Sequence, residues 1–181
     1  MRSKSKDIRK SLVRIARVAL VIAGMWGLVS CKVSYSFSGA TISPDVHSYS
    51  VDYFPNRAPK VQAQLSQVFT DALMDKIQAN TTLDLNTDGG DVSFSGEITN
   101  YQVRPMAITG AETAAMNRLT ITVNVRFTNE VQPEFDFESS FSRYEDFDAS
   151  NDLSGSFEEE LIVLIVENLV EDIFNQAFVN W

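Results

Sequence analysis

The sequence predicts an α+β domain in which two helices pack on one face of a mixed or antiparallel sheet of about four to five strands. Three observations lead to this fold class. Several stretches alternate apolar and polar residues with a period of two, which is typical of half-buried strands. Two other stretches repeat apolar residues every three or four positions, as amphipathic helices do. No internal repeat is visible, and the length suits a single domain.

The strands are predicted from the alternating stretches. The first covers residues 48–53, where aromatic and aliphatic residues face one way and serine or aspartate the other. A short strand is expected at 82–86 and a longer one at 92–103. The most regular alternation in the chain lies at 119–128, and a last strand is expected at 135–144. One helix must therefore separate the first strand from the others, and one must follow them all.

The helices are predicted from apolar residues at three- and four-residue steps. The first is expected to begin near Pro59, because proline suits the first turn of a helix, and to end near Asn80. The second is expected to begin at Ser156, which forms a capping-box pattern with Glu159. Residues 161–166 are apolar all round, which predicts deep packing of that helix.

The N-terminal segment has the organisation of a bacterial export signal. Residues 1–17 carry seven basic residues and one acid, and residues 18–29 form an uncharged, mostly apolar run. This run is about half the length that a membrane-spanning helix needs. It leads into Leu28-Val29-Ser30-Cys31, which resembles a bacterial lipobox. In such signals the cysteine becomes the mature N-terminus and is acylated on its sulfur and its amine.

Cys31 is therefore the predicted lipidation site, with acyl groups such as palmitate. We expect a lipoprotein signal peptide at residues 1–30 and a periplasmic domain at 31–181. The alternative is a signal anchor followed by a buried cysteine. Lys32 follows Cys31, so the aspartate that resembles an inner-membrane retention signal is absent, and no acidic run suggests export to the surface. These features favour an outer-membrane lipid anchor with the domain facing the periplasm.

The charge of the predicted mature chain limits its partners. Seven of the 15 basic residues and one of the 24 acidic residues precede Cys31, which leaves 8 basic against 23 acidic residues and a formal charge of −15. A domain this acidic is repelled by phosphate backbones, so nucleic acid is not an expected partner. It is also repelled by the phosphates of lipid A.

The sequence offers little of the usual chemistry of enzymes. His47 is the one histidine, and acylation of Cys31 removes the only thiol from nucleophilic or metal chemistry. The acidic residues at 146–152 lack the glycine and the final glutamate of a calcium-binding loop, because Asn151 and Phe157 occupy those positions. We therefore predict no catalytic residue, no metal and no cofactor, and a protein that is not an enzyme.

The segment 105–116 is unusually apolar for a loop. Arg104 and Arg118 flank it, and it contains three large apolar residues: Met106, Ile108 and Met116. One interpretation is a loop that folds back on its own core. The other is a contact surface for a partner or a lipid, because apolar residues exposed on loops mark interfaces. These five residues are the candidate contact site.

Several short motifs in a fixed order resemble the lipopolysaccharide-assembly lipoprotein (LptE-like) family in its Bacteroidota form. The motifs extend over nearly all of residues 31–181 and include the following: Tyr35-Ser36-Phe37-Ser38-Gly39-Ala40, Tyr53-Phe54-Pro55-Asn56, Gly96-Glu97-Ile98-Thr99, Asn117-Arg118-Leu119-Thr120-Ile121, Phe141-Ser142-Arg143-Tyr144 and Val170-Glu171-Asp172-Ile173-Phe174-Asn175. Each motif alone is weak, and their order and spacing are the specific signal.

The resemblance implies a non-enzymatic subunit of the lipopolysaccharide transport complex. Members of the family dock in a large outer-membrane β-barrel, help it assemble and assist the passage of lipopolysaccharide. Lipopolysaccharide is thus a further candidate ligand, although this acidic chain offers only Arg104 and Arg118 for it. The alternative is a free, lipid-anchored periplasmic module that binds a small ligand.

Overall fold

The computed structural model describes residues 42–60, 62–106 and 115–179. Residues outside these ranges include Cys31 and Ile108 of the predicted sites. The described elements, in chain order, are β1 (Ser48–Val51), α1 (Leu65–Asn80), β2 (Asp84–Leu85), β3 (Val92–Pro105), β4 (Met116–Asn129), a 3-10 turn (Pro133–Phe135), β5 (Phe137–Asp148) and α2 (Gly155–Phe178).

The five strands form one mixed sheet in the order β2-β1-β3-β4-β5. The strand β1 runs parallel to both β2 and β3, whereas β4 is antiparallel to both β3 and β5. The ladder between β4 and β5 is unbroken from Met116 opposite Asp148 to Phe127 opposite Phe137. The ladder between β3 and β4 shifts register once, between Ile98 and Asn100. The predicted α+β fold, with two helices and a mixed sheet, is confirmed.

One face of the sheet forms the core with the two helices. Every second residue of β4 is buried there, because side chains alternate between the faces of a strand. These residues are Leu119, Ile121, Val123, Val125 and Phe127. Across the interface, Phe178 of α2 lies 5.9 Å, between ring centroids, from both Phe94 and Phe127. Complete burial of one such side chain stabilises the fold by about 1.5–3 kcal/mol. The opposite face of the sheet, which we call the open face, carries no helix of the described residues.

Both helices begin at positions that differ from those predicted. The helix α1 begins at Leu65 and not near Pro59, because Leu65 donates its N–H to Gln62 in a separate turn before the helix. The helix α2 begins at Gly155, so Ser156 lies inside it and the predicted capping box does not form. The N-cap residue Ser154 makes no side-chain capping bond, and its hydroxyl donates to Asp152.

The apolar stretch of α2 is buried on one side only. Leu161, Ile162, Ile165 and Val166 are buried, but Val163 is 43% exposed and Leu164 is 42% exposed. The helix is therefore deeply packed along one side, as predicted, but its outer side stays exposed, because a second layer that would cover it is not present in the described part of the chain. Neither described helix has the length and apolar character required to cross a bilayer.

The backbone of β3 approaches β4 closely at Gly96. Its φ is +154°, which L-amino acids with a side chain rarely adopt. A Cβ at this position would lie 2.0 Å from the carbonyl oxygen of Asn124 and 2.8 Å from the ring of Phe54. Gly96 therefore lets β3 pair with β4 while Phe54 fills the space behind it.

We predict that Gly96→Ala destabilises the domain by at least about 3 kcal/mol, because it adds backbone strain to a steric overlap with a fixed carbonyl. The matched control is Gly155→Ala, where φ is +58° and no atom lies within 4 Å of the added Cβ. That change should cost only about 1–2 kcal/mol. Urea unfolding of the domain without its leader measures both, and equal losses would contradict the close approach at Gly96.

Asp91 links the start of β1 to the start of β3 through hydrogen bonds. Its carboxylate accepts hydrogen bonds from the backbone N–H groups of His47 and Ser48, at 2.8 and 2.9 Å, and from the Ser48 hydroxyl at 3.0 Å. The backbone N–H of Asp91 in turn donates to that hydroxyl. These donors, with the His47 N–H as the largest contributor, hold the pKa of Asp91 below its ordinary value of 3.8.

We predict that Asp91→Asn lowers the melting temperature at pH 7 and that the gap to the wild type narrows on acidification. Because the pKa of Asp91 is lower in the folded state, its stabilising effect is complete above the ordinary pKa of 3.8. This effect is lost as the pH falls through the lower pKa of the folded state. Thermal unfolding at pH 7 and pH 3 measures the gap. A gap that is the same at both pH values would show that the ionised carboxylate is not what fastens the strands.

Candidate functional site

Four of the five predicted contact residues lie together where β3 ends and β4 begins. Arg104 is directly opposite Arg118 in the ladder, and the N–H of Met106 donates to the carbonyl of Met116 at 2.8 Å. The alternation along both strands puts all four side chains on the open face. The fifth residue, Ile108, lies outside the described residues. The structure thus brings the predicted residues to one end of the open face.

The two arginines at this end differ in their surroundings. The guanidinium of Arg118 donates two hydrogen bonds to Asp146, at 2.6 and 2.7 Å, and lies 3.6 Å from the centroid of the Tyr144 ring. The hydrogen bonds from Arg118 hold the pKa of Asp146 below its usual range. Arg104 is exposed and forms no ion pair with any described residue. Arg104 is therefore the cation at this end that remains available to an anionic partner.

The open face is mostly polar, a property that is not obvious from the sequence motifs. Apart from Met116 at one end, this face of β4 and β5 carries only polar, charged or tyrosine side chains: Arg118, Thr120, Thr122, Asn124, Arg126, Thr128, Glu138, Ser140, Ser142, Tyr144, Asp146 and Asp148. Hydroxyl groups interact across the strands, with Thr122 and Ser142 oxygens 3.0 Å apart. The signal was present in the alternation, because each apolar residue of β4 is followed by a polar one.

The acidic charge is not spread evenly over the domain. On β4 and β5 the open face has two arginines, Arg118 and Arg126, and both are paired with a carboxylate of β5. The helices, by contrast, carry exposed acids with few cations among them: Asp75, Glu159, Glu160, Glu167 and Glu171. Lys76 is the one cation within α1 and α2 and pairs with Glu171, and Asp172 of α2 pairs with Arg143 of β5. The open face is thus closer to neutral than the helical side.

A shallow cavity of about 520 Å³ lies at the same end of the sheet but on the helical side. Its lining includes Lys60, Val103, Asn117 and Asp152. Nearby, the Tyr101 hydroxyl donates to Glu158, and burial together with this carboxylate raises the pKa of Tyr101. The described part of the chain brings no three metal-ligating side chains together. The cavity can hold a small polar group.

The fold and the open face define a class of protein: an α+β domain whose distinctive surface is a broad polar sheet. The model of the LptE family, described as lipopolysaccharide-assembly, matches residues 46–177. The chain belongs to this family, which confirms the resemblance seen in its motifs. Membership places the protein in lipopolysaccharide assembly as a lipoprotein of the bacterial envelope.

Solved structures with a similar arrangement include other lipoproteins. A minor lipoprotein from Acinetobacter baumannii is 14% identical, with a TM-score of 0.47 over 72% of this chain and 91% of that chain. Lipoprotein B from Nitrosomonas europaea is 14% identical, with a TM-score of 0.47 over 80% of this chain and 88% of that chain. No curated protein sequence matches the chain. The family assignment comes from the sequence match to the family model alone.

We predict that Arg118→Ala lowers the melting temperature more than Arg126→Ala does. Both arginines pair with a carboxylate across β4 and β5, but the Arg118 and Asp146 side chains are 28% and 37% exposed, against 62% and 66% for Arg126 and Glu138. Exposed pairs contribute little, and only Arg118 also stacks on an aromatic ring. Thermal unfolding compares the two variants. The reverse order would show that the ion pair of Arg118 adds nothing to the fold.

Proposed function

We propose that the protein is an outer-membrane lipoprotein subunit of the lipopolysaccharide transport complex. In this proposal, residues 1–30 are removed, acylated Cys31 anchors the chain, and the domain docks in a large β-barrel translocon and helps it assemble. Membership of the LptE family supports a role in lipopolysaccharide assembly. The observation that carries docking is the open face, which presents a wide surface whose side chains on β4 and β5 are polar apart from Met116.

A polar sheet face suits the inside of a membrane barrel. The lumen of such barrels is polar, whereas their lipid-facing side is apolar. An apolar docking face would require a dry, hydrophobic partner, and the open face lacks the side chains for one. Its hydroxyl, amide and paired charged groups can instead form hydrogen bonds with a polar wall.

The lipid anchor has a physical role in this proposal. Each buried methylene contributes about 0.8 kcal/mol, so one acyl chain binds a membrane reversibly and two or more bind it stably. An anchored domain is also held at a high effective concentration near a barrel in the same membrane. Acylation of Cys31 would therefore favour docking without any contact of its own.

Direct contact with lipopolysaccharide has weaker support than docking. The chain is strongly acidic, and Arg118 already binds Asp146. Arg104 is the cation in the candidate site that could meet a phosphate, with Met106 and Met116 beside it for an apolar part of the molecule. The second candidate function, a free ligand-binding module, is favoured by the cavity beside Lys60.

We predict that tagged full-length protein, extracted from outer membranes in mild detergent, is recovered with a stoichiometric amount of one large barrel protein. The Cys31→Ala variant should recover markedly less of it, because the anchor is lost. Ser36→Ala, which leaves the lipobox intact, is the matched control and should behave as the wild type. Mass spectrometry of the eluate identifies the barrel and the acyl groups.

One outcome would overturn the translocon proposal. If the wild-type protein is acylated and monodisperse but is recovered alone, docking is wrong. The ligand-binding alternative would then be tested with Lys60→Ala, which changes the cavity without touching the open face.

A further inference from the structure

The two edges of the sheet are very different. At one edge, β2 has only two residues, which is too short to receive a further strand beside β1. At the other edge, β5 has 12 residues and pairs with β4 on one side only. A long free edge is a template for further strands, and proteins usually block it with proline, glycine bulges, lysine or a covering segment.

The edge of β5 has none of these features within the described structure, although charged side chains, which also discourage pairing, stand at Glu138 and from Arg143 to Asp148. Its residues, Phe137–Asp148, include no proline, glycine or lysine. Its register with β4 has no bulge. The stretch from Ser139 to Ser142 is also uncharged, so nothing there repels an approaching strand. The edge is therefore regular, long and open in its first half.

The outward-pointing backbone groups can be identified from the ladder. Residues of an antiparallel pair alternate between those bonded to the partner and those whose N–H and C=O point away. The N–H of Ala149 donates to the carbonyl of Ala115 at 2.9 Å, so the odd-numbered residues of β5 bond to β4. The N–H groups of Ser140, Ser142 and Tyr144 then point away from the sheet. These three residues are exposed, and water or an added strand must satisfy their backbone groups.

The side chains beside this edge define what kind of strand fits. On the helical side, Phe137 and Phe141 are only partly buried, with their centroids 6.3 Å apart. Four residues beyond Phe141, on the same side, Glu145 is partly buried and has no ion pair with any described residue. On the open face, Ser140 and Ser142 are small and hydroxylated.

We infer that β5 is a strand-addition site that receives an extended segment of a partner protein, whose side chains are apolar opposite Phe141 and basic opposite Glu145. Main-chain hydrogen bonds would supply the affinity, and the alternating side chains the specificity. The inference rests on the proposed function in taking the partner to be the barrel protein. It adds which part of the domain binds and how.

A second copy of this chain fits the edge less well. An antiparallel pairing of two β5 strands about Ser142 would place Glu145 opposite Ser139, which leaves its charge unbalanced. The one basic residue of β5, Arg143, already binds Asp172. The predicted mature chain is also strongly acidic, so two copies repel each other. A partner strand with a lysine or arginine removes both obstacles.

The test compares variants in the detergent pull-down of full-length protein. Ser142→Pro removes an outward N–H without breaking a bond to β4, whereas Ser142→Ala keeps that N–H and loses the same hydroxyl. We expect Ser142→Pro to recover about tenfold less barrel than Ser142→Ala, which corresponds to about 1.4 kcal/mol, because both variants lose the hydroxyl but only proline loses the N–H. Glu145→Lys should also lose barrel, with Glu145→Gln between it and the wild type. Melting temperatures within a few degrees of the wild type, as is usual for surface changes, identify variants that remain folded.

A photocrosslinking residue gives a second, independent readout. Benzoylphenylalanine in place of Ser140 should crosslink the barrel, and the same group in place of exposed Leu85, at the opposite edge, should not. Strand addition is wrong, and docking stands, if the wild type recovers the barrel while both comparisons show no difference. These comparisons are the recovery with Ser142→Pro against Ser142→Ala, and the crosslinking from position 140 against that from position 85. A crosslink between two copies of the chain would overturn the choice of partner. If no barrel is recovered with the wild type, it is the proposed function that fails.

Discussion

The pairing of β4 with both β3 and β5 is the constraint on which the rest of the domain depends. A strand with a neighbour on each side cannot slip by one residue without moving its whole apolar set to the other face. The ladders extend along the whole strand, from Arg104 opposite Arg118 at one end to Phe127 opposite Phe137 at the other, where the two rings stack. The helices pack on the apolar side that results, and the open face is what remains.

This arrangement lets the same strands form both the core and the surface that we propose for docking. The buried residues of β4 contact the helices, while their polar neighbours in sequence form the open face. Burial of the apolar side provides most of the folding free energy, whereas exposed ion pairs such as Arg126 with Glu138 add little. The open face can therefore vary in its polar residues with little loss of stability, which suits a surface shaped by a partner.

The unpaired acidic charge of the domain lies mainly on its helical side. The acids on the helices have few cations near them, whereas the arginines on β4 and β5 of the open face are each paired with a carboxylate. A polar partner that meets the open face would avoid most of the repulsion that the net charge suggests. Such a partner would also leave the acidic helices toward solvent, where they keep the domain soluble and separate from other copies.

The sequence by itself determined the element types, the α+β class and the family, because each depends on local periodicity or on motifs in order. On the same basis it predicts an export leader that ends in a lipobox. It also predicted that Arg104, Met106, Met116 and Arg118 belong together, since they flank one connection between two strands. It did not reveal that Arg118 binds the Asp146 carboxylate and stacks on the Tyr144 ring. Nor did it reveal that the outer side of α2 stays exposed, or that β5 is the free edge strand of the sheet among the described residues. Those features depend on which strand lies beside which and on what covers each surface. Only tertiary structure decides such contacts between residues far apart in the chain, because they depend on the packing of whole elements and not on local pattern.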